Sequence, residues 1–395
     1  MDIVWRRETG LCGVVMKIGI MTIFKANNYG AELQAFALQK KLSLMGHESE
    51  LIDYPFYKYP SHVASRQSKP IFNIGLKNRV KERVYPYLVA LQRVPIRKDI
   101  KRKQERMDAF YRKHFRLSDV CYNSIEALYA ADWSYDLFIT GSDQVWNPRM
   151  NSSLDPYFLT FAPSDKPRVS YASSFGVSAL PDHTKSVYRE RLSAFERLSV
   201  REEQGVKIIQ DLLGCSPEHV LDPTLLLTDV DWADVAVPVD QPTPYVLIYE
   251  LMPCDELAAV ARCVASQIEG ACVVRIRGGV GISSRTDVVD VDDAGPSEFL
   301  GLLQGASAVV TNSFHGTAFA INFRKPVYPV IPCRMRNAGR IENLLESLGL
   351  SGRMIYEKSN EDVARLAEID YDTVMGRLEQ ERGRSISYLE QVCSQ

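Results

Sequence analysis

Residues 309–327 read VVTNSFHGTAFAINFRKPV, an apolar run that ends in a Ser-Phe-His-Gly cluster and continues as a small-residue helix. Imidazole titrates near neutrality, so a histidine where a strand gives way to a helix is placed for general acid/base work, and His315 is read in that role. The plainer reading is a helix capped by Ser313 with a satisfied imidazole. Residues 141–147, GSDQVWN, put a carboxylate, an amide and an indole in one loop. An indole stacks on a sugar face while the Asp143 carboxylate accepts from hydroxyls; the competing account is an N-cap Asp or Asx-turn beside a core tryptophan, Trp146. Arg201, directly after LSV, is either a clamp for phosphate or carboxylate or the partner of a neighbouring acid such as Glu202.

Those residues matter only if the chain brings them to one place, and its periodicity suggests how. KIGIMTI (17–23) is a continuous apolar run, as expected of a strand buried on both faces. It leads through FKANNYG into a helical pattern with Ala31, Ala35, Leu38, Leu42 and Met45 on one face, then Gly46, then the strand ESELIDY. This is a βαβ unit, and such units predict a parallel sheet with helices on both sides. YDLFITG (135–141), RVSYASSFG (168–176) and LSVRE continue the series. Beyond an acidic, proline-bearing linker at 228–244, a second series runs YVLIYEL, CVVRIRGG, SAVVTN and VYPVIP.

The expected fold class is therefore α/β, with two Rossmann-like doubly wound domains facing a cleft. The expected layout is a disordered tail at 1–15, an N-terminal domain at 16–235 with a basic helical insertion at about 60–130, a C-terminal domain at 236–355, and helices at 356–395. Met16, directly before the first strand, competes with Met1 as the translation start. In open α/β sheets ligands bind beyond the carboxyl ends of the strands. The polar residues there include Asn28 and Tyr29, Asp143 and Gln144, Ser173, Arg201, Arg277, and Asn312 with His315. IRGGVG is a weak phosphate-turn signal and DVDD (290–293) a chance-prone acidic triplet, and no P-loop, HExxH or GxSxG is present.

With 395 residues, 46% hydrophobic and 24% charged, the chain can bury two sizeable cores. No apolar run is long enough to span a bilayer and no signal peptide is legible, which points to the cytoplasm. Eight dispersed cysteines without CxxC pairs read as reduced thiols, with no metal site expected. The net charge of −2 hides an asymmetry, because residues 66–116 hold sixteen Lys and Arg against four acids and the rest of the chain is acidic. No chain-wide nucleic-acid footprint results. The basic segment has helical spacing at Ile96, Ile100, Met107, Phe110 and Tyr111, which suits a solvated helix with a core stripe or contact with an anionic membrane surface.

NNYGAELQAFAL, DLFITGSDQVWNP, VSYASSFG, LSVREEQG, LDPTLLL and TNSFHGTAFAINFRKPV stand in an order and spacing that resemble the polysaccharide pyruvyl transferases, from about residue 17 to 350. The resemblance implies a GT-B-like pair of domains. It also implies transfer of a pyruvyl group from phosphoenolpyruvate to two hydroxyls of a sugar in a surface-polysaccharide precursor, exopolysaccharide or capsule, giving a cyclic ketal and phosphate. Phosphoenolpyruvate would be a co-substrate, no cofactor is implied, and the acceptor would be a sugar or lipid-linked oligosaccharide at the inner face of the plasma membrane. By position, Arg201 matches the donor-binding arginine of the family and His315 its histidine beside the transferred group. Better-studied members have Arg-Leu-His where this chain has Ser313-Phe314-His315, so a second cation must come from elsewhere, and Arg277 and Arg340 are the expected substitutes. Asn312 and Ser313 would lie on the donor side; Asn28, Tyr29, Gln144, Trp146 and Ser173 on the acceptor side, with Asp143 orienting or deprotonating a hydroxyl. A nucleotide-sugar glycosyltransferase and a non-catalytic sugar-binding protein are the alternatives.

Overall fold

The computed structural model describes residues 14–54, 97–150, 153–278, 287–333, 335, 338–357 and 368–394. Most of the expected N-terminal tail, residues 55–96 of the basic insertion, and Gly279 onward in the glycine-rich turn lie outside them.

The first sheet contains β1 (Lys17–Met21), β2 (Glu48–Leu51), β3 (Leu137–Thr140) and β4 (Arg168–Ser170), all parallel in the order β2-β1-β3-β4. Single bridges from Val169 to Arg197 and from Ser173 to Val200 carry it on to the short pair β5 (Ser199–Val200) and β6 (Glu218–His219). The second sheet, also parallel, has six strands in the order β12-β11-β10-β7-β8-β9. These are β7 (Tyr245–Glu250), β8 (Cys272–Arg277), β9 (Val289–Val291), β10 (Ala308–Thr311), β11 (Val327–Ile331) and β12 (Ile355–Tyr356). Strand order reverses between β1 and β3 in the first sheet and between β7 and β10 in the second. Such switch points open a crevice between diverging loops. Residues 22–28, 141–148, 251–254 and 312–313 occupy those positions.

Helix α1 (Tyr29–Leu44) was expected to bury one stripe, but it is buried on nearly every side. Ala31, Ala35, Leu38 and Leu42 face the first sheet's cores, while Tyr29, Leu33, Phe36 and Ala37 belong to a cluster that continues through Trp232, Tyr249, Phe299, Phe319 and Val309. A helix buried on nearly every side has to be enclosed by neighbours, and its polar Glu32, Gln34 and Gln39 are hydrogen-bonded inside. Here it is wedged between the two sheets, so the domains share one continuous core.

The described part of the basic insertion begins with α2 (Arg97–His114), with Met107, Phe110 and Tyr111 buried in that shared core. Several of its cations are spent within the protein. Arg106 pairs with Asp293 and Glu298, Arg102 with Asp293, and Lys103 lies 4.5 Å over the Tyr29 ring, so that Arg102 and Arg106 tie α2 to the second domain.

Beyond α3 (Ile125–Tyr129), α4 (Lys185–Leu192) and α5 (Glu203–Leu213) follow, the last ending at Gly214 in the left-handed conformation. The expected linker is partly helical: Thr228 caps α6 (Asp229–Ala233) through a reciprocal bond with Asp231, and Trp232 is wholly buried. The second domain adds α7 (Asp255–Ala265), α8 (Pro296–Gly305), α9 (Phe314–Asn322) and α10 (Gly339–Ser347). One closing helix is described, α11 (Tyr371–Val392). It starts against the second domain through Tyr371, Val374 and Leu378 and ends in the first-sheet core through Tyr388, Leu389 and Val392.

Candidate active site

The site is built from loops that follow strands of the first domain and from the start of α9. After β5 comes Arg201, whose side chain has no solvent exposure. Its Nη1 donates to Asp222 Oδ2 at 2.6 Å and to Ser142 Oγ at 3.2 Å, and its Nη2 to Asp143 Oδ1 at 3.2 Å. Its Nε lies 3.7 Å from Glu202 Oε2, beyond hydrogen-bond length, and has no hydrogen-bond partner. Burial disfavours the guanidinium's charge, but Asp222, Asp143 and Glu202 outweigh it and raise its pKa.

Asp222 follows β6 at the Asp-Pro step of LDPTLLL, and the sequence reading did not single it out. Thr224 donates to its Oδ1 from both N (3.0 Å) and Oγ1 (2.7 Å), while Oδ2 receives Ser142 Oγ and Arg201. Burial would push this carboxyl up; His315 and Arg201 more than reverse that and hold it ionised, well below the carboxylate range. The signal that could have found it is an acid followed by Pro and Thr, an Asx-type cap that opens the turn Pro223–Leu225.

From the other domain, Ser313 caps α9 by accepting from Gly316 N at 3.3 Å, and a capped start of this kind places His315 in the first turn, facing the first domain. The imidazole Nε2 lies 3.7 Å from Asp222 Oδ2 and has no hydrogen-bond partner. Its other edge packs on Gly30, where a Cβ would fall 2.0 Å from Nδ1. Only glycine fits there, which explains the glycine of NNYG. Phe314 lies within reach of two guanidiniums, with Arg201 Cζ 5.2 Å and Arg340 Cζ 5.9 Å from its ring centroid, a cation–π arrangement. Arg340, on α10, is half-buried overall, but its Nε is enclosed and unpartnered, and burial together with Arg201 lowers its pKa.

The structure thus brings Arg201, His315, Asp143 and Arg340 together and adds Asp222 and Glu202. It gives other expected site residues different places. Trp146 is fully buried among Phe158, Phe175 and Phe195, its Nε1 donating to Tyr157 O, so no face is open to a sugar. Tyr29 stacks on Phe299 at 4.7 Å and donates to Ala294 O, serving the domain seam instead of an acceptor. Ser173 is buried and donates to Gly141 O. Asn312 is buried and spends its amide on Leu251 N, Met252 N and Met252 O, fixing the loop after β7. Arg277 pairs with Asp290, Asp292 and Glu250 in a separate acidic cluster at the end of β8. Ser313 is a helix cap. Asn28 caps α1 through Gly30 N and Ala31 N, and Gln144 accepts from Asn147; both stay half-exposed at the crevice. Among the described residues no group of His, Cys, Asp and Glu is arranged to hold a metal ion, and no helix is long and apolar enough to cross a membrane.

The sequence matches the family described as Polysaccharide pyruvyl transferase over residues 28–333, which takes in every residue of this cluster on the first domain and His315 on the second. The chain belongs to the polysaccharide pyruvyl transferase family. This is a transferase family, and the family match ends before Arg340. No curated protein matches the sequence. Solved structures similar to this pyruvyl transferase family member include the calicheamicin glycosyltransferase CalG4 (14% identity, 96% of this chain and 98% of that one, TM-score 0.44). Others are the glycosyltransferase SnogD from Streptomyces nogalater (14%, 96% and 100%, 0.43) and the UDP-GlcNAc 2-epimerase from Methanocaldococcus jannaschii (10%, 92% and 92%, 0.42).

Proposed function

We propose that this transferase moves a pyruvyl group from phosphoenolpyruvate to two hydroxyls of a sugar, forming a cyclic ketal and releasing phosphate. One observation carries the reading. Arg340 Nε and His315 Nε2 are buried polar atoms without hydrogen-bond partners, Arg201 Nε meets only Glu202 Oε2 at 3.7 Å, and all three surround one charged cluster. Buried polar groups are normally satisfied, so unpaired ones gathered together mark the place a polar ligand fills. Two guanidinium donors suit the phosphate and carboxylate of phosphoenolpyruvate. Arg340 then supplies the cation that Ser313 does not.

In the reaction, C3 of the enol gains a proton and C2 becomes oxocarbenium-like. A first sugar hydroxyl adds to C2 and gives up its proton. The second hydroxyl then attacks C2 as the bond from C2 to the bridging oxygen breaks, that oxygen leaves with the phosphate, and the hydroxyl's proton leaves with it. His315, backed by the Asp222 carboxylate, would carry protons at C3 and at the acceptor hydroxyls, while Arg201 and Arg340 would hold the leaving phosphate. Asp143, a fifth exposed and next to Gln144, would orient the acceptor. The acceptor would be a lipid-linked surface-polysaccharide precursor. Outward-facing Lys98, Lys101, Arg112 and Lys113 on α2 support a peripheral contact with an anionic inner membrane surface. Co-sedimentation with anionic but not neutral vesicles checks that contact. The reaction itself is tested by phosphate release from phosphoenolpyruvate over a panel of galactosyl and glucosyl lipids, and absence of both turnover and donor binding would reject it.

A further inference from the structure

Helix α9 carries His315 at its second residue and, at its last, a wholly buried polar side chain that the chemistry above does not use. Asn322 Nδ2 donates to Leu227 O at 2.8 Å and to Thr224 O at 3.3 Å, both on the segment that runs on from Asp222. Its Oδ1 lies 3.5 Å from Arg382 Nη2 on α11, and Arg382 Nε donates to Leu225 O at 2.7 Å. Arg382 also pairs with Glu379. Carbonyls 224, 225 and 227 are thus gripped from the second domain and from α11 at once.

These contacts close a ring. Thr224, held through its carbonyl by Asn322, holds Asp222 Oδ1 through its own N and Oγ1. That leaves Oδ2 turned toward Arg201 and His315. His315 is joined back to Asn322 by a rigid helical span of about 10 Å. The two ends of α9 therefore both bear on the stretch 222–227, one through the imidazole and one through the amide. Trp232 Nε1 also donates to Thr224 O, so that carbonyl keeps a partner without Asn322. Satisfying Thr224 O does not require the asparagine, whereas bridging two carbonyls three residues apart sets the segment's orientation against α9.

We propose that Asn322, braced by Arg382, is a positioning residue that fixes α9 against residues 222–227 across the domain seam and so sets the 3.7 Å approach of His315 Nε2 to Asp222 Oδ2. It rests on the reading of His315 and Asp222 as the working pair.

The test uses full-length 15N-labelled protein, with the His315 ring resonances assigned by their loss in His315→Ala. In Asn322→Ala these resonances move in the direction seen in Asp222→Asn, while kcat for phosphate release falls at least tenfold and KM for phosphoenolpyruvate changes less than twofold. If Asn322→Ala does not fold, Arg382→Lys, which loses the Nε grip on Leu225, shows the same displacement at smaller size. His315 resonances at the wild-type position in the folded variant overturn the proposal. The resonance readout needs no turnover, so failure of the pyruvyl-transfer reading would leave this result interpretable by itself.

Discussion

Arg340 and Arg201 both present buried guanidinium atoms to the site, yet substitutions at them should behave differently. Arg201 is matched by three carboxylates, and removing one partner from a buried ion pair typically costs about 3–5 kcal/mol. Arg201→Met is therefore expected to lower stability by about that amount as well as to abolish donor binding. Arg340 has an enclosed Nε with no hydrogen-bond partner, and burial with Arg201 outweighs the pull of Glu202, Asp143 and Asp222 on its charge, so Arg340→Met removes a charge the fold disfavours. Its Tm should be equal to or above wild type while KM for the donor rises at least tenfold. Thermal denaturation beside steady-state kinetics checks both, and a large loss of stability in Arg340→Met would show that the guanidinium is structural. The sequence places Arg201, Asp143 and His315 beyond the ends of recognisable strands, so their positions, though not their roles, are legible in it. Trp146 was misread because a tryptophan beside a carboxylate looks the same in a sugar site and in a core corner; only three-dimensional packing against Phe158 and Phe175 separates them. Asp222 was missed because its partners lie far along the chain, Ser142 and Arg201 on one side and His315 on the other.

The β1–α1 turn is held in a costly conformation by a buried acid. Lys25 and Asn27 both sit in the left-handed region, and Glu32 holds that loop by accepting from Lys25 N at 2.9 Å and Ala26 N at 2.8 Å. Left-handed residues other than glycine cost energy and persist where surrounding contacts over-determine them. Burial raises the Glu32 carboxyl to about 7, more than the Lys25, Tyr111 and Ala26 hydrogen bonds lower it. Folding therefore favours its protonated form. The stability contributed is fully present below its ordinary pKa of 4.5 and is lost as pH rises through about 7. Glu32→Gln cannot ionise, so its Tm should fall less than wild type between about pH 5 and pH 8. Parallel Tm curves would exclude this role. The same turn presents Gly30 to His315. In Gly30→Ala the new Cβ displaces the imidazole, and activity should drop as far as in His315→Ala with a stability loss of about 1–3 kcal/mol. Full activity would mean that the ring need not sit there. The βαβ pattern made the strand, turn and helix readable. The helix's second buried face was not, because a period of 3.6 shows which side is apolar but not how many neighbours enclose it.

For the whole molecule, the alternation of strand and helix disclosed two doubly wound domains, but not that they share a core. Tyr29, Phe36, Met107 and Phe110 from the first half pack with Tyr249, Phe299 and Phe319 from the second, and α11 spans both. Domains joined by a large apolar interface are not expected to move independently. Calorimetry should show one cooperative unfolding transition; two resolved transitions would contradict a shared core. The same packing holds His315 of one domain within 3.7 Å of Asp222 of the other.

Pyruvyl transfer is read directly by carbon NMR of phosphoenolpyruvate labelled at C2, incubated with the enzyme and a lipid-linked sugar acceptor. Pyruvyl transfer replaces the enol resonance, coupled to phosphorus, by an uncoupled ketal resonance as free phosphate appears, and His315→Ala suppresses the change by a factor of about 10² or more. An unchanged enol resonance with wild-type protein across the acceptor panel, or an undiminished ketal signal with His315→Ala, would contradict pyruvyl transfer assisted by His315.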